Sequence, residues 1–259
     1  HIWWRTAEFR LCLPMILAML VLLAGAMANG SSQAQGIETP ARFAYLVDLS
    51  SGAVLMEKDA NIPTAPASMS KMMTVYMVLE RLKAGTLSLD DTFPVSKKAW
   101  EKGGSKMFVK VDTRVRVEDL LRGIIIQSGN DACIVVAEGL AGSEVAFAAE
   151  MNTRARELGL QDSHFVNATG WPDEGHLMSA RDLARLAQIL VTEFPKFYPM
   201  FSELSFTYHV ITQPNRNPVL SKDIGADGLK TGHTETSGYG LVASAKRGDR
   251  RLVLVMNGL

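Results

Sequence analysis

Cysteine is nearly absent from this chain of 259 residues, which holds Cys12 and Cys133 alone. Cys12 falls in an N-terminal apolar run, so a processed chain would keep one cysteine and no internal disulfide. Net charge is missing too. Lys and Arg number 27, Asp and Glu 27, and no basic tract or basic-aromatic stripe runs along the sequence, which removes the usual footprint of nucleic-acid binding. Glycine-rich phosphate loops are lacking, and potential metal ligands do not cluster, so no cofactor and no metal are expected. His164, His176 and His209 stand apart and read as surface or structural residues.

Long hydrophobic runs are also lacking. Arg5 and Arg10 precede the apolar stretch Leu11–Ala24, which is too short for a comfortable membrane span. Small-residue sites follow at Gly25-Ala26-Met27-Ala28 and Gln33-Ala34-Gln35, the pattern of a signal peptide over residues 1–34. Residues 35–259 then form one domain of ordinary size, and 47% apolar residues supply a substantial core. Export fits the single remaining cysteine, Cys133, which sits on an apolar helix and reads as a small buried hydrophobe.

Three short motifs carry the chemistry: Ser68-Met69-Ser70-Lys71, Ser128-Gly129-Asn130 and Lys230-Thr231-Gly232. They lie far apart, so only a folded domain brings them together. Pro66-Ala67 precedes Ser68, and the apolar run to Leu82 closes at Gly85, so a buried helix from Ser68 to Ala84 is expected. Lys71 shares the face of Ser68, and Ser70 points elsewhere. A lysine among methionines and valines loses its charge readily and can serve a serine as base. Ser128 and Asn130 fall on a loop between two apolar helices, where a hydroxyl relays a proton and an amide holds a carbonyl. Lys230 lies on a short strand beside a hairpin of two β-rich runs, Gly238–Ala245 and Arg251–Met256. That strand is expected at the sheet edge, where Gly232 lets a ligand backbone approach and Lys230 with Thr231 holds an anionic end.

The architecture follows from the same patterns. Phe43, Tyr45 and Val47 alternate, turn at Ser50-Ser51-Gly52 and return through Ala53–Met56. With the three C-terminal strands this gives a five-stranded antiparallel sheet. Helices are expected at Ser68–Ala84, Glu118–Gln127, Ala132–Leu140, Ser143–Leu158 and Ser179–Glu193, with Ser179 and Asp182 as a capping box. The fold class is α+β, a sheet flanked by helices with a central helical cluster and the site between them.

In Pro66–Thr74, Gln127–Cys133, Asp227–Thr234, Ser179–Leu183 and Gln213 with Asn215-Arg216-Asn217, the chain resembles the serine D-alanyl-D-alanine carboxypeptidases, the low-molecular-mass penicillin-binding proteins of peptidase family S11. The resemblance implies a β-lactamase/transpeptidase-like fold and removal of the terminal D-alanine from peptidoglycan stem peptides. Ser68 would be the nucleophile, Lys71 its base, and Ser128 with Lys230 the route of a proton to the leaving amine. Asn130 would orient the substrate, Thr231 its carboxylate, and the Ser68 and His233 N–H groups would form the oxyanion hole. β-Lactams would acylate Ser68. The family pattern also includes an arginine after the last strand, a closing helix, a second β domain and an amphipathic anchor. The sequence ends at Leu259 without them, so a C-terminally truncated catalytic domain is expected, with membrane association only through the signal segment or the missing anchor. A mobile rim loop at Trp100–Phe108 is implied as well. Two other readings stand beside this one, a class A serine β-lactamase and a non-catalytic muropeptide-binding envelope protein. In the first, Gly129 replaces the usual Asp, and Phe165–Ser179 offers only Glu174 in place of the glutamate that activates water.

Overall fold

The computed structural model describes residues 36–259. The signal peptide expected over 1–34 lies outside them. In chain order the elements are β1 (Phe43–Asp48), β2 (Val54–Lys58), α1 (Lys71–Ala84), β3 (Thr92–Pro94), α2 (Lys97–Glu101), β4 (Arg114–Arg116), α3 (Val117–Ile125), α4 (Asn130–Ala141), α5 (Glu144–Glu157), α6 (Ala180–Glu193), β5 (Ser205–Tyr208), β6 (Ile211–Pro214), β7 (Ala226–Thr234), β8 (Gly238–Arg247) and β9 (Arg250–Asn257).

The five expected strands form one antiparallel sheet in the order β2-β1-β9-β8-β7. Its centre is β9, whose Val253 and Val255 are buried. Helix α6 covers one face, touching β1, β8 and β9. Its apolar residues Leu183, Leu186, Ala187 and Leu190 recur at helical spacing and are all buried. Ser179 caps it by accepting from Asp182 N–H at 3.1 Å. The expected capping box is only half made, because the Asp182 carboxylate turns away to accept from Asp162 N–H (2.9 Å) and Ser163 Oγ (2.7 Å).

Helix α1 is the hub. It touches α3, α4, α5 and α6, and every residue from Lys71 to Leu79 is buried, so it is largely apolar on all sides apart from the lysine at its start and Thr74, whose hydroxyl donates to Ala168 O (2.7 Å). Gly85 ends it in the left-handed conformation (φ 74), as its sequence position predicts. The helix differs from expectation at its other end. Ala67–Ser70 is a 3₁₀ turn, so Ser68 stands just before the α-helix rather than within it. Two small two-stranded sheets, β3–β4 and β5–β6, were not expected; strands of three or four residues carry too little alternation to announce themselves.

Large core residues and caps differ in weight. Phe147 on α5 is 0% exposed, so Phe147→Ala should cost about 3–5 kcal/mol, whereas Ser179→Ala should cost about 1 kcal/mol. Urea unfolding checks both; equal losses would show that the core is less closely packed around Phe147 than its burial indicates.

Candidate active site

Ser68 rides on a strained turn. Ala67 before it is left-handed (φ 49), a conformation that costs a residue with a Cβ about 1–3 kcal/mol unless its surroundings enforce it. A line of hydrogen bonds does so. Val166 N–H donates to His176 Nδ1 (3.1 Å), which fixes the proton on Nε2, and Nε2–H donates to Ser70 Oγ (3.0 Å). Ser70 Oγ then donates to Ala67 O (3.0 Å). His176 is buried, and that burial brings it down to about 4, so the imidazole stays neutral. Its role is structural, as its isolation in the sequence implies.

Lys71 is 0% exposed, and its Nζ faces three oxygens: Ser68 Oγ at 2.7 Å, Asn130 Oδ1 at 2.8 Å and Thr169 O at 2.6 Å. An ammonium has three protons for these three. A neutral amine has two protons and a lone pair. Two of the oxygens can only accept, and the hydroxyl alone can donate, so the neutral amine turns its lone pair toward Ser68. Burial favours that form, bringing Lys71 down to about 8; the charges of Arg216 and Lys102 act in the same direction, while Cys133 and Asp131 oppose them.

The chain leaves α3 through Ser128, again left-handed (φ 59), and reaches Asn130 as the first residue of α4, so of the two expected loop residues only Ser128 lies on the loop. Lys230 from the edge strand β7 donates to Ser128 Oγ (3.0 Å) and Thr231 O (3.1 Å). At 3% exposure its amine is buried against Ser128, on the edge strand where the sequence placed it. Desolvation and the like charge of Lys71 hold it well below an ordinary lysine.

The cleft holds about 540 Å³ and is lined by Ser68, Ser105, Ser128, Arg216, Thr231, Gly232, His233 and Tyr239 among others. All eight residues singled out from the sequence therefore converge here, counting the buried Lys71, Asn130 and Lys230 behind the wall. Gly232, which lines the cleft, also meets a packing demand. A Cβ on it would fall 2.9 Å from Pro66 O and 3.1 Å from Ala67 Cβ, so its bareness seats β7 against the turn that carries Ser68. Cys133 is 0% exposed and pushed up to about 12 by burial, a thiol with no part in nucleophilic chemistry. Among the described residues no three His, Cys, Asp or Glu side chains gather as metal ligands. A concavity of about 600 Å³ between α1 and α5 is lined by ion pairs such as Arg81–Glu150 and Arg154–Glu80 and contains no activated nucleophile.

Against this geometry the comparisons are specific. The sequence profile of the D-alanyl-D-alanine carboxypeptidase family matches residues 28–258. The chain belongs to this family. D-alanyl-D-alanine carboxypeptidase DacC of Escherichia coli K12 is 44% identical over 234 residues, covering 86% of this chain and 58% of that protein. The chain thus spans less than two thirds of that relative's length. Penicillin binding protein 6B from Escherichia coli superposes with a TM-score of 0.83 at 40% identity, over 89% of this chain and 75% of that one. Penicillin-Binding Protein D2 from Listeria monocytogenes, in its ampicillin-bound form, gives a TM-score of 0.77 at 27% identity, over 86% and 91%.

Within the family frame, three contributors were given no role by the sequence reading. The first is Thr169, which acts through its carbonyl. The second is Arg216, an exposed cation at the cleft that donates to Ser105 Oγ at 2.6 Å. The third is Asp131. Its fully buried carboxylate accepts from Met107 N–H (2.9 Å), Phe108 N–H (2.9 Å), Val109 N–H (3.1 Å) and Ala132 N–H (2.9 Å). The expected rim loop at Trp100–Phe108 is therefore tied down: its first residues belong to α2, and its last are clamped to α4. Glu174 is exposed, and the stretch around it presents Lys71 with a carbonyl rather than a carboxylate.

Asp131→Ala would orphan several buried N–H groups at about 1–3 kcal/mol each, so a loss of at least about 3 kcal/mol is expected in urea unfolding. A loss below about 1 kcal/mol would show that the clamp is not what holds the rim.

Proposed function

We propose that this chain is a serine D-Ala-D-Ala carboxypeptidase that removes the terminal D-alanine from peptidoglycan pentapeptide stems through an acyl-enzyme and is blocked by β-lactams. The observation that carries the reading is the Lys71 amine, with two oxygens fixed as pure acceptors and its third direction on Ser68 Oγ. Lys71 takes the Ser68 proton as Oγ attacks the carbonyl of the penultimate D-alanine. The backbone N–H groups of Ser68 and His233 receive the oxyanion. The C–N bond then breaks, and the proton held by Lys71 passes through Ser128, whose hydroxyl is backed by Lys230, to the leaving amine, which returns Lys71 to its neutral form. Water attacks the resulting ester with Lys71 again as base, and the Ser68–acyl bond breaks to free the shortened stem.

Substrate is held by groups of matching chemistry. The peptide lies beside the edge strand β7 as an added strand, with Asn130 on a backbone carbonyl. Its carboxylate meets Thr231, the Lys230 amine and the charge of Arg216, which lines the cleft. A β-lactam carries the same carbonyl-and-carboxylate pattern, and the ampicillin-bound Listeria neighbour supports its use of this cleft. The leader read in the sequence supports action in the periplasm or on the outer face of the cytoplasmic membrane.

The test is D-alanine release from a pentapeptide ending in D-Ala-D-Ala, run beside peptide mapping after incubation with a labelled penicillin. Release together with a long-lived adduct on Ser68 is expected. Rapid penicillin turnover would support the β-lactamase reading, and binding without an adduct the non-catalytic one. Lys71→Ala should slow acylation by about 10²–10⁴-fold while leaving the protein folded. Because the active form is the neutral amine, acylation should rise with pH and level off above about 8. A profile flat from pH 6 to 10 would contradict the base assignment.

A further inference from the structure

The two oxygens that hold Lys71 come from a loop and from Asn130 at the start of α4, and the amide of Asn130 rests on a second loop that meets the first on its outer side. Thr169, whose carbonyl faces Lys71, lies in a turn wrapped around Asn167. Asn167 Oδ1 accepts from Thr169 N–H (3.1 Å), Gly170 N–H (2.8 Å) and Trp171 N–H (3.2 Å), and its Nδ2 donates to Trp171 O (3.0 Å). Thr169 O and the Trp171 indole are thus one rigid piece. Across the cleft, Asn130 holds Lys71 with Oδ1 and donates Nδ2 to Gly103 O (2.9 Å). Lys102, the neighbour of Gly103, places its ammonium 4.0 Å from the centroid of the Trp171 ring. Gly104 permits the close stacking. A Cβ there would fall 2.6 Å from Asn130 Nδ2 and 3.2 Å from the indole.

We infer that Lys102 and Trp171 form a clasp that joins the two loops, holds Thr169 O and Asn130 Oδ1 on Lys71, and closes its amine off from water. This rests on the acyl-transfer reading above and makes both residues positioning residues for it. A cation over an indole face is among the stronger aromatic contacts available to an exposed side chain. Several groups face Lys71: Asp131 and Cys133 from α4, Lys230 from β7, Arg216 from the segment after β6, and Lys102. Lys102 alone among them is engaged with the loop carrying Thr169, so it acts on the amine both through its charge and through the seal. Trp171 is 43% exposed and Lys102 is half-buried, so replacing either spares the core.

The test compares wild type with Lys102→Met, Trp171→Ala, the double variant and Lys102→Arg. The first readout is the rate constant for acylation by a labelled penicillin from pH 6 to 10. Both single variants should move the rising limb upward by about half a pH unit, a loss of about threefold at neutral pH. The double variant should lose less than the combined single effects, and Lys102→Arg should keep the wild-type limb. The second readout is acetylation of Lys71 by acetic anhydride at pH 10, where the amine is neutral, with exposed Lys196 as internal standard. Trp171→Ala should raise it several-fold. A limb that stays in place, additive losses, or Lys71 labelling as slow as in wild type would each overturn the clasp. If the wild type is not acylated at all, the acyl-transfer reading falls instead, and acetylation still decides whether the clasp seals the amine.

Discussion

Two lysine amines are buried in the wall of one cleft, and much of the structure accommodates that fact. A buried ammonium loses several kcal/mol of hydration, and a second nearby adds repulsion, so both amines give up a proton more readily than an ordinary lysine. Helix α1 creates the burial by sitting at the centre of four other helices with Lys71 at its start. The amine is then supplied with oxygens and not with a carboxylate, which leaves it easily deprotonated and basic. A carboxylate partner would have restored the charge and removed the lone pair.

Strain marks both hydroxyls of the site. Ser128 is left-handed itself, and Ser68 follows a left-handed Ala67. Each turn is enforced by groups outside the cleft. The line from Val166 through His176 and Ser70 fixes the first, and the second is anchored where Gly129 N–H donates to Gly123 O (2.9 Å) and Asn130 N–H to Ser105 O (2.7 Å). Such positions persist when the surroundings over-determine them, and here those surroundings are the packed cores of α3, α4 and the loop preceding α6.

The sequence made legible whatever depends on side-chain pattern. Lys71 three residues after Ser68, the apolar run to Leu82 and the stop at Gly85 identified the central helix, and alternation identified the five strands. Its silence has physical causes. Thr169 contributes a backbone carbonyl, which has no residue signature. Asp131 reads as an acidic residue in a helix first turn, and nothing in that pattern reveals that its carboxylate collects N–H groups from a distant loop. Lys230 and Gly232 were recognised as site residues, but the depth of the Lys230 amine and the packing of Gly232 on the Pro66-Ala67 turn were not foreseen, because a strand pattern does not say which side is covered by the turn of another element.

The most direct measurement is an NMR titration of ¹³C-lysine-labelled protein, following the Lys71 Cε resonance assigned by its loss in Lys71→Arg. Burial without a carboxylate partner predicts a midpoint near 8. A midpoint at the ordinary lysine value of 10.5 would show a solvated or ion-paired ammonium and contradict the account.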